Sequence, residues 1–173
     1  MKKNRKIALS GIMCALSVMI MLIGSLFQTL DLSAAAAAGL TVVFAMVELG
    51  GKYAFSIYAV SSVLAFLLLP NKSPALIFAV FAGHYPILKA YIQRVKFRWI
   101  AYLLKIAVFN LFFTSIILIG KGVLGLEDDL YRFGYMVYLL GNVTFIVYDF
   151  ALDRLVSFYI HRLKRIFDKS FKI

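Results

Sequence analysis

Residues 7–27 form a run without a single charged side chain. A helix of that length, rising 1.5 Å per residue, covers the roughly 30 Å hydrocarbon core of a bilayer. Five more apolar runs follow, at residues 33–49, 53–69, 75–92, 99–119 and 131–156. Chain buried in lipid must satisfy its backbone polar groups internally, and helices of this length do so within one segment. The expected fold is therefore all-α: one polytopic domain over residues 1–173 with six transmembrane helices. The last helix continues as a basic extension to about residue 165. Composition agrees, with 63% hydrophobic residues against about 45–50% in soluble domains.

The first run follows Lys2, Lys3, Arg5 and Lys6 and precedes small residues at 33–38. It is nevertheless longer than the roughly 7–15 residues of a signal-peptide core and reads as a retained helix.

Charge sets the expected orientation. The turn from Gln93 to Trp99 carries Arg94, Lys96 and Arg98 beside a tryptophan suited to a headgroup boundary. With the N-terminus inside, sixteen of the nineteen Lys and Arg residues reach the inner face, leaving Lys72, Lys121 and Arg132 outside. Lys89 and Lys105 reach it only by extending their aliphatic stems. Outer connections carry Asp31, Glu127, Asp128 and Asp129. Both termini are expected in the cytoplasm. The net charge of +11 then reflects cations flanking spans, so the expected partner is membrane lipid and no nucleic acid.

No enzymatic pattern stands out. A phosphate-binding GxxxxGK[ST] loop, an HExxH helix and a GxSxG elbow are all absent. His84 and His161 are 77 residues apart, and the lone Cys14 allows neither an internal disulfide nor a thiolate cage. The chain is read as no enzyme, with no cofactor and no metal.

Several features inside the spans remain. The second run opens with Ala34 to Ala38; alanine adds little to insertion, so this helix is expected to face protein. Small residues at helical spacing recur as Ala8, Gly11 and Ala15, as Ala37, Thr41 and Ala45, and as Ala75, Ala79 and Gly83. Such stripes let backbones approach, either within the bundle or, for the first helix, against another membrane subunit. Asn110 and Asn142 lie near the middle of the fifth and sixth runs and His84 midway along the fourth. Polar groups at that depth either bond between helices or meet a ligand. Pro86 has no N–H to offer the Ala82 carbonyl, so a kink is expected beside His84. Asp149 and Asp153 are expected to pair with Lys89, Lys105 or Arg154.

Three stretches carry a family resemblance. Gly11-Ile-Met-Cys-Ala15 is similar to the AxxxA motif on the first helix of the substrate-binding S components of energy-coupling factor (ECF) transporters. Leu49-Gly-Gly-Lys-Tyr-Ala-Phe-Ser-Ile-Tyr-Ala59 resembles their G-P-K-Y-G opening of the third helix, with Gly51 at the proline position. Tyr148 through Arg165 is similar to their long basic final helix. The resemblance implies a subunit of the bacterial cytoplasmic membrane that captures a vitamin or similar micronutrient at the outer face. It would dock through Ala8, Gly11 and Ala15 on a transmembrane coupling subunit energised by an ATPase pair. It also implicates Asn71 and Lys72 in the third-to-fourth loop, with Asn110 and Asn142 deeper, as substrate-binding residues, and His84 joins that set from its own place at the expected kink. The first outer connection, residues 28–32, is short for a loop that closes over a ligand. The alternative is a non-transporting scaffold of the same shape, similar at fold level to the rod-shape protein MreD. In that reading Asn110 and Asn142 pair with each other and the basic tail meets proteins or anionic lipid.

Overall fold

A computed structural model describes residues 3–93, 95, 97–124 and 134–163. The apolar runs become α1 (Lys3–Leu26), α2 (Asp31–Glu48), α3 (Gly51–Leu68), α4 (Ser73–Ile77), α5 (Tyr85–Ile92), α6 (Arg98–Leu124) and α7 (Gly134–Phe158). A single 3₁₀ turn, Gln28–Leu30, joins α1 to α2. Two π-wound turns complete the set, Phe78–Ala82 between α4 and α5 and Tyr159–Leu163 after α7. The stretch Ser73–Ile92 counts as one span despite its internal break, so six helices among the described residues are long and apolar enough to cross a membrane. No strand occurs among the described residues. Lys2, Arg94, Lys96, the acidic group Glu127 to Asp129, the start of the last run at Tyr131 and Arg132, and the tail from Lys164 to Lys172 lie outside them.

The chain groups into two units, Met1–Glu127 with α1 to α6 and Asp128–Ile173 with α7. In the first unit α2 is the hub. It packs against α1, α3, α4, the first π turn and α5. Its surface there is nearly all small: Ala34, Ala35, Ala38, Gly39, Thr41 and Ala45 are buried, with Val42 and Val43. The alanine-rich opening thus faces protein, as its poor match to lipid requires. Small side chains matter because lipid tails are as apolar as leucine, which leaves close backbone approach and dispersion to hold helices together. The α1–α2 crossing shows how close that approach is. A Cβ placed on Gly24 would lie 2.1 Å from the Ala34 Cβ, inside any van der Waals separation.

Behind this crossing Cys14, Val18, Met21, Val42, Ile57 and Phe78 form one buried core. Cys14 serves there as a packing residue and accepts a 3.3 Å contact from the Ser61 hydroxyl of α3. Other hydroxyls in the spans give their protons to carbonyls of their own helix: Ser25 to Leu22 at 2.7 Å, Thr41 to Ala38 at 2.7 Å and Ser62 to Tyr58 at 2.8 Å. This is how a hydroxyl is made tolerable in hydrocarbon. Between α2 and α3 the chain reverses through Gly50 at φ 93°, a backbone conformation that costs a residue with a Cβ. α6 lies at the edge of the first unit, touching α4, α5 and the π turn. In α7, Phe145, Asp149 and Leu152 are its buried positions, spaced to share one face.

Substituting Gly24 tests the hub. Gly24→Ala should lower stability by about 1–3 kcal/mol in a detergent unfolding titration, against the usual gain from alanine in a helix. Adding Ala34→Gly should restore most of it. A single variant as stable as the parent would contradict the crossing.

Candidate functional site

The fourth span contains a conflict that the structure resolves in an informative way. A proline inside a helix offers no N–H to the carbonyl one turn earlier, and its ring crowds that turn. The chain places its break upstream of the proline. Phe78–Ala82 is wound as a π turn, and Gly83 N donates to the Phe78 carbonyl at 2.8 Å, five residues back. A turn at Gly83 and His84 follows. Pro86 then falls in the first turn of α5, where a missing N–H is no loss. The kink expected beside His84 is thus present, spread over a full turn.

Two consequences gather side chains around His84. The Ala79 carbonyl accepts a hydrogen bond from the Tyr58 hydroxyl of α3 at 2.8 Å. Gly83 makes room for that tyrosine, since a Cβ there would lie 2.6 Å from Tyr58 Cδ2 and 2.9 Å from Phe78 Cε1. The His84 ring sits edge-on to Phe112 of α6 at 4.3 Å between centroids and 5.8 Å from the Tyr58 ring. Both imidazole nitrogens are buried and have no hydrogen-bond partner among the described residues. The nearby Ala79 carbonyl, which accepts from Tyr58, has a second lone pair for the ring.

Beside this ring is a groove of about 520 Å³ between α3, the broken fourth span and α6. Phe55, Tyr58 and Phe112 supply aromatic surface, and Val80, Ile87 and Leu88 supply aliphatic surface. His84 and Ser115 add the remaining polar atoms, and no charged side chain lines it. The volume is within the usual range of small-molecule sites.

The other expected site residues lie elsewhere. The Asn71 amide donates to both carboxylate oxygens of Asp31, at 3.2 and 3.0 Å, while its own oxygen accepts from Ser73 N at 3.0 Å. The loop before α4 is thereby tied to the start of α2. Lys72 Nζ donates to the Phe66 and Leu69 carbonyls at 2.7 and 2.5 Å. That puts a cation on the C-terminal end of α3, where the helix dipole favours it. Asn110 donates to the Ile106 carbonyl at 2.9 Å, within α6, and Asn142 to the Tyr138 carbonyl at 2.8 Å, within α7. Of the expected substrate-binding set, only His84 lines the groove.

Ala8, Gly11 and Ala15 are all exposed on α1. A Cβ on Gly11 would meet nothing within 4 Å. The opposite face of the helix, through Cys14, Ser17, Val18, Met21 and Ser25, is buried. The stripe is therefore not used in packing the first unit. Among the described residues no group of three or more His, Cys, Asp or Glu converges as a metal site would.

Tyr58, Phe112, Ser115 and Asp31 carried no functional signal in the sequence. An aromatic or hydroxyl residue within an apolar run is ordinary, and only the π turn and the α3 and α6 contacts assemble these groups.

These features define a six-span α-helical membrane protein with a buried imidazole at mid-span. No family model, curated protein or solved structure matches the chain.

Tyr58→Phe should remove the clamp on the Ala79 carbonyl. The expected loss is about 1–3 kcal/mol, read as a lower melting temperature in detergent. An unchanged melting curve would mean that this carbonyl has another donor.

Proposed function

We propose that this chain is the substrate-capture subunit of an ECF-type importer in a bacterial cytoplasmic membrane, with both termini in the cytoplasm. It takes up a vitamin-like micronutrient from the outer side. It then docks on a transmembrane coupling subunit energised by a separate ATPase pair. The observation that carries this reading is the uncovered stripe Ala8, Gly11 and Ala15. Against lipid a small residue makes fewer contacts than leucine would. The stripe gains its value when another helix backbone closes on it. Its neighbours Ile12 and Met19, at 62% and 56% exposure, extend the same helix surface with apolar side chains. A docking subunit without a phosphate-binding loop of its own depends on a partner for energy, which fits the sequence.

The mid-span groove at His84 gives the cargo a place to sit. Asn71 and Lys72 lie away from it and hold the α3–α4 connection against Asp31 and the end of α3. Asn110 in α6 and Asn142 in α7 do not line this groove, and each has part of its amide engaged by its own helix.

The same engagement of Asn71, Lys72 and Asp31 favours a second reading, a non-transporting MreD-like scaffold. A scaffold needs no polar groups waiting at that end, and these are occupied with one another and with backbone.

Gly11→Leu separates the two. With nothing within 4 Å of the site, the variant should fold and melt like the parent. Recovery of the coupling subunit and its ATPases on affinity purification should fall at least tenfold. Equal recovery from parent and variant would contradict docking through this stripe.

A further inference from the structure

The groove beside His84 presents carbon to whatever lies in it. The Tyr58 hydroxyl gives its proton to the Ala79 carbonyl at 2.8 Å, and the Ser115 hydroxyl gives its own to the Leu111 carbonyl at 2.9 Å. Both His84 nitrogens are buried, so the imidazole meets the groove through its carbon edge. The other walls are the rings of Phe55, Tyr58 and Phe112 and the aliphatic side chains of Val80, Ile87 and Leu88. No lining group bears a charge. Such a surface holds an occupant by dispersion. Phe55, at the rim, is 58% exposed, which opens the groove to the lipid around the bundle.

Its length and its place suit one leaflet's acyl chain. From Ala79 to Leu88 the fourth span advances roughly 13 Å at 1.5 Å per residue, about half of the roughly 30 Å hydrocarbon core. On α3 the lining residues Phe55 and Tyr58 belong to the first half of the helix. The start of α3 lies beside the end of α5, since a Cβ on Gly51 would be 3.5 Å from the Tyr91 hydroxyl. It lies beside the start of α1 too, where Lys6 Nζ stands 5.6 Å from the Tyr53 ring centre. Among the described residues, that end of α1, α2 and α3 carries Lys3, Arg5, Lys6 and Lys52 against Glu48 alone. Lys52 is exposed. It stands three residues before Phe55, hence on the same side of α3, and a long helical side chain leans toward the N-terminus. Its ammonium therefore extends past the end of the groove toward the headgroups.

We infer that this groove is a binding site for an anionic phospholipid. One acyl chain follows the aromatic and aliphatic walls from Leu88 to Ala79, and the headgroup phosphate pairs with Lys52. A cargo entering the same groove has to displace the chain, so the lipid site goes beyond the capture reading and does not depend on it.

The test reads the site with a tryptophan. Trp99 is the chain's single tryptophan, so Trp99→Phe combined with Phe55→Trp moves the reporter to the groove rim. The full chain is reconstituted in phosphatidylcholine bilayers that contain brominated phosphatidylglycerol or brominated phosphatidylcholine with identical chains, because bromine quenches a tryptophan that it touches. Phosphatidylglycerol should occupy the site about fivefold more strongly, as one cation near an anionic headgroup provides. Lys52→Gln should bring the two lipids within twofold. Lys3→Gln, on α1 at the same end, should change the ratio by less than twofold. Val80→Phe narrows the groove and should at least halve quenching by either lipid. Native mass spectrometry of the parent and of Lys52→Gln reads the same preference from retained lipid without the reporter substitutions. No preference in the parent, a preference kept in Lys52→Gln, an equal loss in Lys3→Gln, or undiminished quenching in Val80→Phe would each overturn the inference. Lipid preference in a protein that recovers no ATPases would uphold this site and remove the importer. Recovery of ATPases without lipid preference would uphold the importer and remove this site.

Discussion

The backbone of a membrane span must find its hydrogen bonds inside the protein, and the fourth span meets that demand in an unusual way. Pro86 cannot donate, so the helix unwinds one turn ahead of it and rewinds with the proline in a harmless first-turn position. The π winding leaves the Ala79 carbonyl facing α3, where Tyr58 satisfies it. Gly83 leaves space for that tyrosine, and His84 is carried into the gap between Tyr58 and Phe112. One missing N–H thus leads, link by link, to a groove with a buried imidazole at its edge.

The rest of the first unit supplies a rigid backing for that irregular turn. α2 holds α1, α3 and both parts of the fourth span at close range because its contacting side chains are small. Dispersion over such surfaces takes the place of the hydrophobic driving force that water would provide. The same chemistry on α1 has opposite outcomes on its two faces. Gly24 is closed against Ala34, whereas Gly11 remains open. A helix with one small-residue contact made and another unmade is suited to joining its own bundle and then a second one. Groove and stripe are separate features of the first unit.

How far the sequence reveals this varies by residue. Six long apolar runs lead to six spans because a hydrocarbon-thick helix has no alternative in lipid. Ala34, Ala35 and Ala38 are buried, with Ala36 and Ala37 half-buried, because alanine is too weakly apolar to face lipid by choice. Pro86 announces a break beside His84, yet the π turn and its partner Tyr58 are not legible, since they depend on which carbonyl happens to face α3. Asn71 and Lys72 look like free polar loop residues. In the fold they are tied to Asp31 and to the end of α3, because the short α1–α2 turn brings Asp31 within reach. Asn110 and Asn142 look alike in sequence as mid-span amides, and both satisfy part of their hydrogen bonding along their own helices. The exposed side of the Ala8, Gly11 and Ala15 stripe could be read only from structure, because spacing alone does not say which face of α1 the bundle covers.

Native mass spectrometry of the protein, extracted gently from its own host membrane, tests the central claim most directly. The account predicts co-purifying ATPases with a coupling subunit and, on the subunit itself, an adduct of a few hundred daltons. A bare subunit, or one accompanied only by cell-shape proteins, would contradict capture and transport and leave the scaffold reading in their place.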